Sequence, residues 1–241
     1  MPRKILSLFG LFFFFNSISA FTQQENTFLL HKADSLFEIK RFTQSLDLYS
    51  ELYRQNIYSP AMLLKMAYIS EALKKKPETM YFLNAYYLSS GNQRTLTKMN
   101  EMAEKWEISG YEPDTNDIFY GFYYQYYNQI VLASFAFTAL SFLLIIYLKK
   151  KNRTKTYAAG ILFMMAITIL FYLANYGSHY NKGVLFTDNV PAMAGPSPAS
   201  KPLTRLHQGQ RLVILKKNPD WTQIKWDGKP VYVRTHHIKT L

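Results

Sequence analysis

Two uncharged apolar runs, "IVLASFAFTALSFLLIIY" from Ile130 to Tyr147 and "TYAAGILFMMAITILFYLANY" from Thr156 to Tyr176, constrain this chain more than any other feature. The first has 18 residues and the second 21. As helices rising about 1.5 Å per residue, each is about long enough to cross a hydrocarbon core roughly 30 Å thick. Neither run contains Asp, Glu, Lys, Arg or His. Transport paths and proton relays place ionisable groups at membrane depth, so the pattern argues against a transporter. Transmembrane helices are therefore predicted over 130–148 and 156–176.

Between the runs stand Lys149, Lys150, Lys151, Arg153 and Lys155, a dense basic loop over 149–155. Lys and Arg in short loops stay on the cytoplasmic side, so the hairpin enters from outside, turns inside and leaves again. The N-terminus, "MPRKILSLFGLFFFFNSISAFTQQ", points the same way. Arg3 and Lys4 precede an apolar run from Ile5 to Phe15 and the small residues Ser17, Ser19 and Ala20. That order reads as a signal peptide over 1–20, cut after Ser19 or Ala20. Both signals put residues 21–129 and 177–241 outside the cytoplasm. The expected location is the bacterial inner membrane, with both soluble modules on the periplasmic side. Aromatics are 17% of the chain, and "FYGFYYQYY" from Phe119 to Tyr127, inside a linker over 111–129, is one of their concentrations. With Tyr172, Tyr176 and Tyr180 it suits an interfacial belt on the outer side, in contact with membrane lipid.

The stretch over 21–110 has a helical period. Leu29, Leu30, Ala33, Leu36 and Phe37 are followed by a break near Lys40, then by Phe42, Leu46, Tyr49 and Leu52. A helix, a tight turn and a second helix follow from that spacing. A shift of 34 residues maps Leu29 to Leu63, Leu30 to Leu64, Ala33 to Ala67, Ser45 to Thr79 and Tyr49 to Leu83. The period and its small residues resemble the tetratricopeptide repeat, with Lys76 and Thr79 replacing the usual aromatic and alanine of the second copy. A helix over Arg94–Glu107 would cap the stack. Leu36, Phe42, Leu46, Tyr49 and Leu83 are expected in the core, and the stacked pairs present a shallow groove for partner proteins.

Residues 181–241 change character. Strands are predicted at Gly183–Thr187, Arg211–Lys216, Thr222–Trp226 and Val231–Arg234, with Asp227-Gly228 as a hairpin turn. Four or five short strands in this length suggest a small barrel. The order of landmarks, a Pro-Ser loop, Gly209, Trp221, Gly228 and Tyr232, resembles a bacterial SH3-type domain, with Val231-Tyr232 where a Gly-Trp pair is usual. Trp221, Tyr232 and Trp226 are the candidate ligand surface, although Trp221 also suits the core.

Charge and composition narrow the chemistry. The net charge of +12 is uneven: residues 24–107 hold 11 basic and 10 acidic residues, and 181–241 hold 10 and 3, a surplus of seven. That surplus favours an anionic partner such as peptidoglycan or another wall polymer, lipid headgroups or an acidic protein. Export argues against nucleic acid. The absence of cysteine excludes disulfides, thiolate metal sites and thiol nucleophiles. His31, His179, His207, His236 and His237 show no metal-ligand spacing, and His236 and His237 on a strand would face opposite ways. No catalytic, cofactor-binding or metal-binding set is legible, so the chain reads as non-catalytic.

The predicted fold is multidomain: an all-α tetratricopeptide-like repeat, a two-helix transmembrane hairpin and an all-β SH3-like small barrel. With "LLKMAYISEAL", "AEKWEISGYEPD" and "AGPSPASKPL", this order resembles the BatE family of the bacterial aerotolerance-type operon. The resemblance implies membership of a membrane complex with von Willebrand-type proteins linked to an AAA+ ATPase. A scaffold in that complex is the leading expectation. A cell-wall-binding envelope sensor and an accessory subunit of an envelope enzyme are the alternatives.

Overall fold

The computed structural model describes residues 25–112, 114–151, 153–176 and 180–241. The predicted signal peptide and cleavage site lie outside the described residues, as do His179 and the side chains of Lys151, Arg153, Lys155 and Tyr176. The chain forms two compact units, one ending at Tyr86 and one running Tyr87–Leu241.

The first unit is helical: α1 over residues 25–38, α2 Phe42–Arg54, α3 Pro60–Ala72, and α4 Lys76–Ser90 as far as the unit boundary. The repeat is visible in the backbone. Helices α2 and α4 start 34 residues apart, and the tight turns before them use left-handed residues at the same offset, Lys40 (φ 58°) and Lys74 (φ 58°). Ala33, Ser45, Ala67 and Thr79 are all buried. The Ser45 hydroxyl donates to the Ala33 carbonyl at 2.8 Å, a bond that needs α1 and α2 in close approach and therefore small residues on both. Helix α3 starts where Ser59 accepts from the Met62 N–H with Pro60 at the first turn. Leu46, Tyr49 and Leu83 are buried as expected. Leu36 and Phe42 are only half-buried, because Phe42 packs with Phe37 and Tyr68 in an edge-on aromatic set, centroids 5.8–6.0 Å apart, that stays open on one side.

The second unit begins in the last turn of α4 and continues through α5 Gln93–Trp106, α6 Thr115–Gln125, α7 Tyr127–Lys151 and α8 Arg153–Tyr176. Helices α7 and α8 are long and apolar enough to cross a membrane. Their least exposed positions recur at alternating steps of three and four: Val131, Ser134, Thr138, Ser141, Ile145 and Leu148 on α7, and Ala159, Phe163, Ala166, Leu170 and Leu173 on α8. That period of 3.5 gives an antiparallel seam in which Ser134, Thr138, Ser141, Ala159 and Ala166 are the small positions. The hydroxyls in it are satisfied without water: Ser134 donates to the Ile130 carbonyl, Thr138 to Ser134 and Ser141 to Thr138, each at 2.8 Å. The segment expected as a basic loop over 149–155 is largely helical where it is described. Helical backbone includes Lys149–Lys151 and resumes at Arg153, since Lys and Arg are good helix formers and cations suit the C-terminal end of α7.

Seven antiparallel strands follow: β1 Lys182–Leu185, β2 Val190–Met193, β3 Pro202–Leu206, β4 Arg211–Lys217, β5 Trp221–Trp226, β6 Lys229–Arg234 and β7 Ile238–Thr240. Their order is β3-β2-β6-β5-β4-β1-β7. Laid flat, the outer two would stand about 29 Å apart at about 4.8 Å per strand. Yet Leu185, Val190, Leu206, Leu212, Ile224, Val231, Val233 and Ile238, drawn from all seven strands, meet in one core, so the sheet is strongly curled. Asp227 (φ 47°) and Gly228 (φ 76°) turn β5 into β6 as the dipeptide predicts.

Candidate functional site

Period-two alternation decides which side chains leave the β core. Leu185 and Leu212 point inward, so Lys182, Val184 and Arg211, on β1 and β4, lie on the opposite face. Val184 pairs directly with Arg211 across the two strands, and Lys182 with Val213. Helix α6 supplies the counter-ion. Its N-cap is Asp114, whose carboxylate accepts from the Asp117 N–H at 2.7 Å, which fixes Asp117 in the first turn.

The Asp117 side chain is fully buried, with Lys182 Nζ at 2.6 Å on one oxygen and Arg211 Nη2 at 2.8 Å on the other. The Tyr180 hydroxyl donates to the first oxygen at 2.6 Å. Lys182 also reaches Asp114 at 3.0 Å, so two cations meet two carboxylates. Burial alone would raise the Asp114 carboxyl; the Asp117 N–H and Lys182 outweigh it and hold the group below the usual carboxylate range. Burial pushes the Tyr180 hydroxyl far up, so it remains a proton donor.

The residues between α5 and α6 close around the same point. Arg211 Nε donates to the Gly110 carbonyl at 2.6 Å, the Arg211 N–H to Ser109, and the Tyr111 hydroxyl to the Gly209 carbonyl at 2.7 Å. The Arg211 guanidinium lies 4.9 Å from the Tyr111 ring centre. Gly110 sits at φ +92°, and a Cβ there would come within 2.1 Å of the Arg211 carbonyl oxygen. Only glycine permits this approach.

Helix α6 is tied on two further sides. Tyr87 donates to the Asp117 carbonyl at 2.8 Å, and Tyr123 donates to the Leu173 carbonyl of α8 at 3.1 Å. Its remaining face leaves Ile118, Phe119, Phe122 and neighbouring Tyr126 exposed. One short helix thus holds the sheet by an ion cluster and the apolar hairpin by a hydrogen bond. The arrangement is that of a clamp: every charged group in the cluster is paired within it.

The residues singled out from sequence fall elsewhere. On β5 and β6, Trp221, Gln223, Tyr232 and Arg234 share the face away from the core, where Gln223 bonds the Tyr232 hydroxyl at 3.1 Å and Arg234 stacks 4.5 Å from the Trp221 ring. Trp226 is on the opposite face, packed against the core, so the three aromatics do not form one surface. Trp221 itself is buried. Tyr180, assigned to an interfacial belt, is instead buried in the clamp, because Asp117 offers its hydroxyl an acceptor. Tyr172 is exposed. His236 and His237 are not on a strand: Thr235–His237 is a 3₁₀ turn that brings their rings to 4.0 Å, and His237 Nδ1 meets the Thr187 hydroxyl at 2.9 Å. No group of three metal-ligating side chains occurs among the described residues.

Sequence reasoning missed Asp117. Its signal was present: Asp114 and Asp117 are the only acidic residues between Glu112 and Asp188, spaced as a helix cap and its third position. No family model matches the chain, and no curated protein is significantly similar to it.

Proposed function

We propose that this chain is a non-catalytic scaffold of the bacterial envelope, anchored in the inner membrane by α7 and α8, with both soluble modules on the periplasmic side. The observation that carries the reading is the double attachment of α6, to the sheet through Asp117 and to the hairpin through Tyr123. A sensor that relayed motion would need a looser joint. A clamp with its ions buried holds the β module in one pose beside the bilayer, which suits presentation of a binding surface.

On this reading the first unit is a short tetratricopeptide-like array that recruits a partner protein, and the seven-stranded module is an SH3-like barrel. The exposed apolar face of α6 supports an interfacial position, since Phe119 and Phe122 gain from lipid contact. The five basic residues at the hairpin tip support the orientation. Resemblance to the BatE family makes von Willebrand-type membrane proteins the partners to look for.

A second reading is favoured by one feature. Lys216, paired with Gln223, and Lys225 are exposed on the face that also carries the Arg234–Trp221 stack, a surface suited to an anionic wall polymer such as peptidoglycan. Crosslinking in intact cells, purification in mild detergent and mass spectrometry separates the two. The scaffold reading expects membrane proteins that disappear when residues 25–86 are deleted. Recovery of wall fragments alone, dependent on the β module, would replace it with a wall-binding sensor.

A further inference from the structure

A groove of about 1140 Å³ runs along the outer side of the hairpin at its basic end, lined by Ile145, Lys149, Tyr157, Gly160, Met164 and Ile169, among others. Gly160 opens it. A Cβ built there meets no atom within 4 Å, and the flanking Ile161 and Met164 are 64% and 63% exposed. The lining on α8 extends from Thr156 to Ile169, about 20 Å at 1.5 Å per residue. That is little more than one leaflet of a core about 30 Å thick. An apolar slot one leaflet deep has the dimensions of an acyl chain.

Its mouth is cationic and has no acid of its own. From Ile118 to Thr187 the chain contains no Asp or Glu, while Lys149, Lys150, Lys151, Arg153 and Lys155 crowd one end. Cations at the edge of a low-dielectric region need an anion. Lys149 and Tyr157 line the slot at that end, so an anion seated beside them would sit at the head of the apolar lining.

We infer that this groove binds one anionic phospholipid, its phosphate against Lys149 and Tyr157 and an acyl chain along Gly160, Met164 and Ile169. The inference rests on the reading of α7 and α8 as membrane-spanning, which flotation of the full-length protein with vesicles tests separately. Methionines line the slot because their flexible side chains adapt to a chain of varying curvature.

The test is native mass spectrometry of the full-length protein in mild detergent, titrated with phosphatidylglycerol or phosphatidylcholine of identical acyl chains. Phosphatidylglycerol is expected to bind more tightly. Lys149→Gln should weaken it about fivefold, matching the attraction of one juxtamembrane lysine for an anionic headgroup, and weaken phosphatidylcholine less, because the choline cation offsets its phosphate. Gly160→Leu puts a side chain into the slot from a Cβ that meets nothing within 4 Å, and should weaken both lipids. Unaltered binding in Gly160→Leu overturns the inference. If that variant instead keeps its lipid and loses a co-purifying membrane protein, the groove docks a partner helix and the lipid assignment is wrong. Failure of the wild-type protein to float overturns the membrane reading, and the lipid site with it.

Discussion

Asp117 is the residue on which the second unit turns. Its carboxylate is the counter-ion of Lys182 and Arg211, whose side chains are 9% and 1% exposed. Removing one member of a buried pair leaves the other charged and desolvated. Asp117→Ala should therefore destabilise the docking of the sheet by about 3–5 kcal/mol, seen as protease cleavage near Glu112 and a lower thermal midpoint in detergent. An unchanged midpoint would mean that the cluster does not hold the sheet. His237 gives a pH signature. Burial, then His236 and Arg234, hold its imidazole below the ordinary 6.5. A depressed group contributes stability above its unfolded pKa and loses it as pH falls through the folded one. The thermal midpoint should thus drop as pH falls below about 6.5, then level off. In His237→Gln that drop should shrink; a drop of equal size in the variant would assign the pH dependence to another group.

At the scale of elements, the hairpin pairs along a seam that has Ser134, Thr138, Ser141, Ala159 and Ala166 as its small positions. Ser141 is 3% exposed where α7 crosses α8, near the ring contact of Phe142 with Phe163 at 5.5 Å. Ser141→Leu would overpack that seam at a cost of about 1–3 kcal/mol, measured as easier separation of the helices in denaturing detergent. Equal resistance would place the contact elsewhere. Helices were the most legible elements, because a 34-residue period marks the same buried small positions twice, Ala33 with Ala67 and Ser45 with Thr79. Strands β4, β5 and β6 were legible from β-branched runs and the Asp227-Gly228 turn. Strands β2, β3 and β7 were not: β2 contains Pro191, β3 opens on Pro202 and lies at an edge, and β7 has three residues. Helix α6 was read only as an aromatic linker, since its aromatic residues hide a helical period behind uniform hydrophobicity.

For the whole molecule, the proposed scaffold has both folded modules on one side of the membrane and the basic tip of the hairpin on the other. The clamp belongs to this scale too, because it gives a role to "AEKWEISGYEPD", which runs from the last turn of α5 to the N-cap of α6. Ser109, Gly110, Tyr111 and Asp114 in that stretch all bond the β module, so a segment between modules is part of the joint. The chain has no cysteine, so single cysteines report without background. We would introduce Asn56→Cys, Asn218→Cys and Asn152→Cys one at a time and expose intact, outer-membrane-permeabilised cells to a membrane-impermeant maleimide. The account predicts labelling of Asn56→Cys and Asn218→Cys, with Asn152→Cys labelled only after lysis. Labelling of Asn152→Cys in intact cells, or protection of either module position, would contradict it.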